Sequence, residues 1–169
     1  MSSPPPGSPK RDDKFEQLVR DYFQMFLNHN DTEFWGIDAS RSSLRLEFAT
    51  RDPQPRASYL LTVTQNLCNL MGNLHGGCAA TIIDILTSTV LIAMSKPGIF
   101  TSGGVSRNLK VTYLRPVPEG TEARVICEVV HIGRRLAYLR AEIRRADTGA
   151  LCMIGEHEKA NTDDPQEKI

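Results

Sequence analysis

The chain has 169 residues, 40% of them hydrophobic and 24% charged, with 20 Lys+Arg against 20 Asp+Glu. That length fits one hydrophobic core rather than two, and a formal net charge of zero supplies no field to draw in nucleic acid or an anionic membrane. A polyanionic ligand has to be met by a local basic cluster.

Residues 1–13 carry four prolines and no apolar run, so they read as a Pro-rich disordered tail and not as a secretory signal. An intracellular chain is expected, cytoplasmic or mitochondrial. Phe15, Leu18, Val19, Tyr22, Phe23, Phe26 and Leu27 then fall at i, i+3, i+4, i+7, i+8, i+11 and i+12, the stripe of an amphipathic helix with Asp12 or Asp13 as its cap. Leu44, Leu46 and Phe48 alternate with Ser43, Arg45 and Glu47 as a strand, and 57–63 is a second, mostly apolar one. Pro53 and Pro55 mark the loop between them.

A helix is predicted over 75–94, stopped by Lys96, Pro97 and Gly98. Asp84 is the one charge in the stretch 76–95. In a bilayer it would cost roughly 2.5–3.5 kcal/mol, and Thr81, Thr87, Ser88 and Thr89 weaken the case further, so no membrane span is expected. Four strands follow at 105–114, 122–131, 136–145 and 151–157, joined by turn chemistry at 116–120, 133–134 and 147–149. Residues 161–169 are polar and read as a second tail, leaving 14–160 as the folded domain. The order predicts an α+β domain, a mainly antiparallel sheet packed on one long apolar helix. Its strand edges invite self-association.

Cys68, Cys78, Cys127 and Cys152 lie far apart in apolar runs and read as buried free thiols. There is no C-x-x-C, no histidine cluster and no H-E-x-x-H, so neither metal nor cofactor is expected.

The chemistry concentrates in Asn69-Leu-Met-Gly-Asn-Leu-His75-Gly76-Gly77, followed nine residues after the histidine by Asp84. His-Gly-Gly at a helix entrance presents backbone N–H donors that a ligand oxygen can approach closely. An unpaired carboxylate among Ile82, Ile83, Ile85 and Leu86 is expensive, and on desolvation grounds its pKa should rise. Each residue has a plainer use. Asp84 could face water or bond Ser88 and Thr81, His75 could be a cap, Gly76 and Gly77 packing glycines, Asn69 a turn residue. Four such residues flanking one buried helix are hard to explain by packing.

These residues resemble the hotdog-fold acyl-coenzyme A thioesterases of the phenylacetate-degradation type, closest to the acyl-CoA thioesterase 13 (thioesterase superfamily member 2) branch. The likeness runs over roughly 15–159. It is carried by N-x5-H-G-G-x7-D and by Gly104-Val-Ser106, Val111-Thr-Tyr-Leu-Arg-Pro116 and Gly133-Arg134-Arg135-Leu-Ala137. The resemblance implies a hotdog fold, six strands around a central helix. It makes Asp84 the general base for water, or else a nucleophile forming a mixed anhydride. Gly76 N–H would polarise the thioester carbonyl with His75 beside it, Asn69 would orient the water or the carbonyl, and Ser106, with Ser102 as alternative, would hold the water or Asp84. It also implies a site shared by two subunits, in a homodimer or a dimer of dimers.

Gly77 joins the expected substrate-binding groups. Arg134 and Arg135 are the local cluster best placed to meet the phosphates of coenzyme A, unless they form a solvated turn, and Arg107 stands beside the site. The expected activity is hydrolysis of medium- or long-chain fatty or aryl acyl-CoA. The alternatives are a noncatalytic hotdog module that binds acyl-CoA, and a hotdog hydratase, for which no matching pattern is visible.

Overall fold

The structure is a computed structural model that describes residues 12–27 and 43–163. Of the expected tails at 1–13 and 161–169, residues 1–11 and 164–169 lie outside the described residues, while Asp12 and Asp13 belong to the start of the first helix.

The first helix, α1 (Asp13–Leu27), is capped by Asp12, whose carboxylate accepts the Phe15 N–H at 3.1 Å. Phe15, Val19 and Phe23 are buried, Tyr22, Phe26 and Leu27 pack at the margin, and Leu18 is the one stripe residue left exposed. Six strands follow: β1 (Leu44–Thr50), β2 (Arg56–Thr62), β3 (Val105–Tyr113), β4 (Glu122–Ile132), β5 (Leu136–Arg145) and β6 (Leu151–Ala160). They form one sheet in the order β1-β2-β4-β5-β6-β3 with every neighbour antiparallel. The second helix, α2 (Gly76–Ala93), is apolar on nearly all sides because the sheet and α1 both pack against it. Its Ala79, Ile82, Ile83, Leu86, Val90 and Leu91 are the middle of the core, each large side chain contributing about 1.5–3 kcal/mol by burial. This is the expected α+β hotdog layout.

The sheet reaches α2 closely because β6 carries Gly155 beneath it, where a Cβ would stand 2.7 Å from Ile83 Cγ2. Three expectations are corrected. β6 runs three residues beyond His157, to Ala160, because the alternation continues: Gly155, His157 and Lys159 are buried under α2 while Glu156 and Glu158 face out. The folded chain does not stop at 160. The Asn161 amide donates to the Gly98 and Arg134 carbonyls at 2.9 and 3.0 Å, its oxygen accepts the Phe100 N–H at 3.1 Å, and the Asp163 carboxylate accepts the Thr101 N–H at 2.6 Å. All four cysteines are free thiols, but only Cys127 and Cys152 are buried, Cys68 and Cys78 being half-buried.

β1 and β3 are the edges. β3 is exposed along most of its length in the single chain, with Val105 54% and Tyr113 51% accessible.

Candidate active site

The loop before α2 is braced by Asn69. Its side-chain oxygen accepts the N–H groups of Met71 and Asn73 at 2.9 and 3.2 Å, which leaves its NH2 group to meet a ligand. His75 is the N-cap of α2: its Nδ1 accepts the Gly77 N–H at 3.0 Å, so in the neutral ring Nε2 carries the proton. Gly77, expected to offer a donor to substrate, gives its N–H to this cap instead. Gly76 is the first helical residue and its N–H has no acceptor inside the helix. The Tyr113 hydroxyl donates to the Gly76 carbonyl at 2.8 Å, and the Tyr113 ring lies so close that a Cβ at position 76 would be 3.2 Å from it. Asn69, Met71, Leu74, Gly76, Tyr113 and Met153 line an open cleft of about 400 Å³ here.

Asp84 sits two turns further along α2. Its side chain is 40% accessible in the single chain, not buried as its apolar neighbours suggested. It is also not alone, since Ser106 Oγ donates to Asp84 Oδ1 at 3.2 Å. Ser106 reaches it through a β-bulge: the β3–β6 register slips between Ser106 and Asn108, so Arg107 is the extra residue. Counting inward from Val111 and Leu109, an unbroken strand would turn position 107 toward α2. The bulge puts Ser106 there, opposite Lys159, and Arg107 lies 3.9 Å from Glu158. Ser102, the alternative, is in the preceding turn with its N–H on the Asp163 carboxylate at 3.4 Å.

Behind Asp84 lie polar residues that the sequence reading did not single out for the site. His157, with no exposed surface, has Nε2 2.9 Å from Ser106 Oγ and 3.5 Å from Asp84 Oδ1, while its Nδ1 is 2.7 Å from Thr87 Oγ1. Burial pushes this imidazole down to about 4, with Asp84 pulling the other way and Lys159 adding to the depression. Lys159, 5% exposed, donates to Ser88 Oγ at 2.7 Å, and Ser88 to the Asp84 carbonyl at 2.7 Å. Burial holds that ammonium below the usual lysine range, an effect Asp84 partly offsets. The available signal was His157 and Lys159 two apart on a strand, in register with the inward Gly155.

Arg134 and Arg135 are exposed at the β4–β5 turn. β5 begins there with Leu136 paired to Ala160 and Ala137 to Lys159, which pairs in turn with Ser106, so the two arginines share the Ser106 end of the sheet. Among the described residues no three His, Cys, Asp or Glu side chains converge as a metal site.

The sequence model of the thioesterase superfamily matches residues 71–152, which include His75, Asp84 and Ser106. Mouse acyl-coenzyme A thioesterase 13 is 28% identical over 99 residues, covering 59% of this chain and 68% of that protein. The fold is similar to that of thioesterase superfamily member 2 from Mus musculus, with TM-score 0.69, 24% identity, and 95% of this chain and 98% of the other covered. It is also similar to a hypothetical thioesterase from Streptococcus pneumoniae TIGR4 crystallised with coenzyme A, with TM-score 0.61, 21% identity, and 72% and 90% covered. Residues 71–152 thus match the thioesterase superfamily, and the chain has the hotdog fold of thioesterase superfamily member 2.

Proposed function

We propose that the chain hydrolyses acyl-CoA thioesters of medium- or long-chain fatty acids or aryl acids to free acid and CoA, in sites that each need two copies of the chain. The observation carrying this reading is the separation of the two halves of the chemistry. Gly76 and Asp84 are eight residues apart on α2, about 12 Å along its axis, too far to touch one carbonyl group. The same division recurs on the exposed edge strand. Ser106 stands near one end of β3 and Tyr113, which holds Gly76, at the other. Antiparallel pairing of two β3 edges about a twofold axis between Leu109 and Lys110 sets Ser106 of one copy across from the partner's Tyr113. Asp84 and Ser106 then face the partner's Asn69, the partner's His75 and the partner's Gly76.

In such a site Asp84 and Ser106 hold a water, and Asp84 takes its proton as the oxygen attacks the thioester carbonyl. The partner's Gly76 N–H, at the positive end of its helix, meets the developing oxyanion, with the partner's Asn69 amide beside it. The C–S bond breaks as the carbonyl re-forms, and the proton held by Asp84 leaves with the CoA sulfur. Apolar walls beside Met71, Leu74 and Met153 suit an acyl chain, and Arg134 and Arg135 suit the phosphates of CoA.

A noncatalytic acyl-CoA-binding module would have no use for a carboxylate backed by a hydroxyl and a buried imidazole. Thiol release from a series of acyl-CoAs tests the proposal. Wild type should turn over, while Asp84→Asn should still bind acyl-CoA with kcat reduced roughly 10²- to 10⁴-fold. Undiminished turnover in Asp84→Asn would remove the base, and binding without turnover in wild type would leave the binding module.

A further inference from the structure

Thr87, His157, Ser106 and Asp84 form one line of contacts: 2.7 Å from Thr87 Oγ1 to His157 Nδ1, 2.9 Å from Nε2 to Ser106 Oγ, and 3.2 Å from Ser106 Oγ to Asp84 Oδ1. Each hydroxyl has one proton to give, and a neutral imidazole has one. Two assignments are possible for a neutral ring. If Nδ1 carries the proton, Nε2 must receive the Ser106 proton. Ser106 Oγ and Asp84 Oδ1 then face each other with none between them, and the Nε2 lone pair confronts Asp84 Oδ1 at 3.5 Å. If Nε2 carries it, Thr87 donates to Nδ1, Nε2–H donates to Ser106, and Ser106 donates to an ionised Asp84. Each of the three contacts in the line then holds one proton, and the 3.5 Å approach becomes attractive. The cost of this assignment falls on Thr87, whose Oγ1 lies 2.7 and 3.1 Å from the Ile83 and Asp84 carbonyls and then gives neither a proton; both carbonyls keep their α-helical N–H groups, whereas in the other assignment the ionised Asp84 loses its Ser106 donor. The charged ring is disfavoured by complete burial of His157.

We infer that Thr87 and His157 are positioning residues that fix the direction of the Ser106 hydroxyl, with His157 held as the Nε2–H tautomer. Neither can touch substrate, Thr87 being 1% and His157 0% exposed. For the reaction, and resting here on the proposed role of Asp84, the consequence concerns the water. Because the Ser106 proton is committed to Asp84, Ser106 can only accept from a water. A water donating one proton to Asp84 and the other to Ser106 is left with its lone pairs aimed away from both, toward an electrophile.

The test is a long-range 1H–15N correlation spectrum of the full chain with labelled imidazoles at pH 7, His157 being assigned through contacts to the Thr87 methyl. The expected wild-type pattern is a protonated Nε2 and a bare, hydrogen-bonded Nδ1. Thr87→Val should populate the other tautomer and lower kcat about tenfold with KM little changed, and Thr87→Ser should restore both. A wild-type Nδ1–H tautomer or an imidazolium would overturn the inference, and so would a Thr87→Val protein with unaltered tautomer and kcat. The wild-type spectrum needs no variant to fold. It is read on the resting protein, so it can stand or fall separately from the base assignment, which Asp84→Asn turnover decides.

Discussion

Gly155→Ala adds one methyl group where the sheet meets the helix that carries the acid. The new carbon would stand 2.7 Å from Ile83 Cγ2, 3.2 Å from its Cδ1 and 3.5 Å from Ala141 Cβ. Carbon atoms rest about 3.5–4.0 Å apart, so Ile83 must retreat by about 1 Å. It cannot do so by rotation alone, because it is fully buried and a β-branched side chain in a helix has one strongly preferred rotamer. The helix backbone has to move. Overpacking of this kind costs about 1–3 kcal/mol, which for a chain of this size lowers Tm by about 2–12 °C. Asp84 follows Ile83 directly, so the same movement should lengthen the 3.2 Å contact with Ser106 and lower kcat. Calorimetry and thiol release measured on one preparation read both effects. Leucine keeps the volume of isoleucine but lacks Cγ2, so adding Ile83→Leu should recover part of the loss, a coupling of about 0.5–3 kcal/mol. An unchanged Tm for Gly155→Ala, or strictly additive costs in the double variant, would refute the close approach of β6 and α2.

Acid should weaken the fold through His157, which burial holds at about 4 against an ordinary 6.5. Between those values the unfolded chain binds the proton and the folded chain does not, so stability is full above pH 6.5 and falls as the pH drops toward 4. The loss is about 3 kcal/mol at most, read by urea unfolding across that range. His157→Gln should flatten this limb, and parallel curves for the two proteins would exclude His157 as its source. Arg134→Ala with Arg135→Ala should raise KM for full acyl-CoA roughly tenfold, and much less for a short thioester lacking the nucleotide. An equal effect on both would make the pair an ordinary turn.

Much of the fold was legible because it rests on local periodicity. The stripe from Phe15 to Leu27, Leu18 apart, and the apolar residues around Asp84 bury what their spacing said they should. Asn69, His75, Gly76 and Asp84 were legible for a related reason, being polar or flexible residues at the entrance and middle of one apolar helix. What could not be read depends on register between distant segments. His157 and Lys159 look like the polar fraying end of a strand until β6 is laid under α2, where the same alternation turns them inward beside Thr87 and Ser88. Ser106 was named through resemblance. The bulge at Arg107 that aims it at Asp84 has no local signature, because it comes from how β3 pairs with β6. Asn161 looked like part of a tail because its partners, Gly98, Phe100 and Arg134, are far away in sequence.

The most direct test of a site shared between two chains is complementation in mixed dimers of Asp84→Asn and Asn69→Asp. The second variant keeps the oxygen that braces the loop through Met71 and Asn73 while removing the amide donor. Each homodimer should be crippled. A mixed dimer has one site with both lesions and one with neither, so random pairing, with about half the dimers mixed, should restore about a quarter of wild-type activity. Mixed dimers isolated with two affinity tags should show half of wild-type turnover per dimer. No recovery in those isolated dimers would mean that Asp84 works with the Asn69 of its own chain, and the two-chain site would be contradicted.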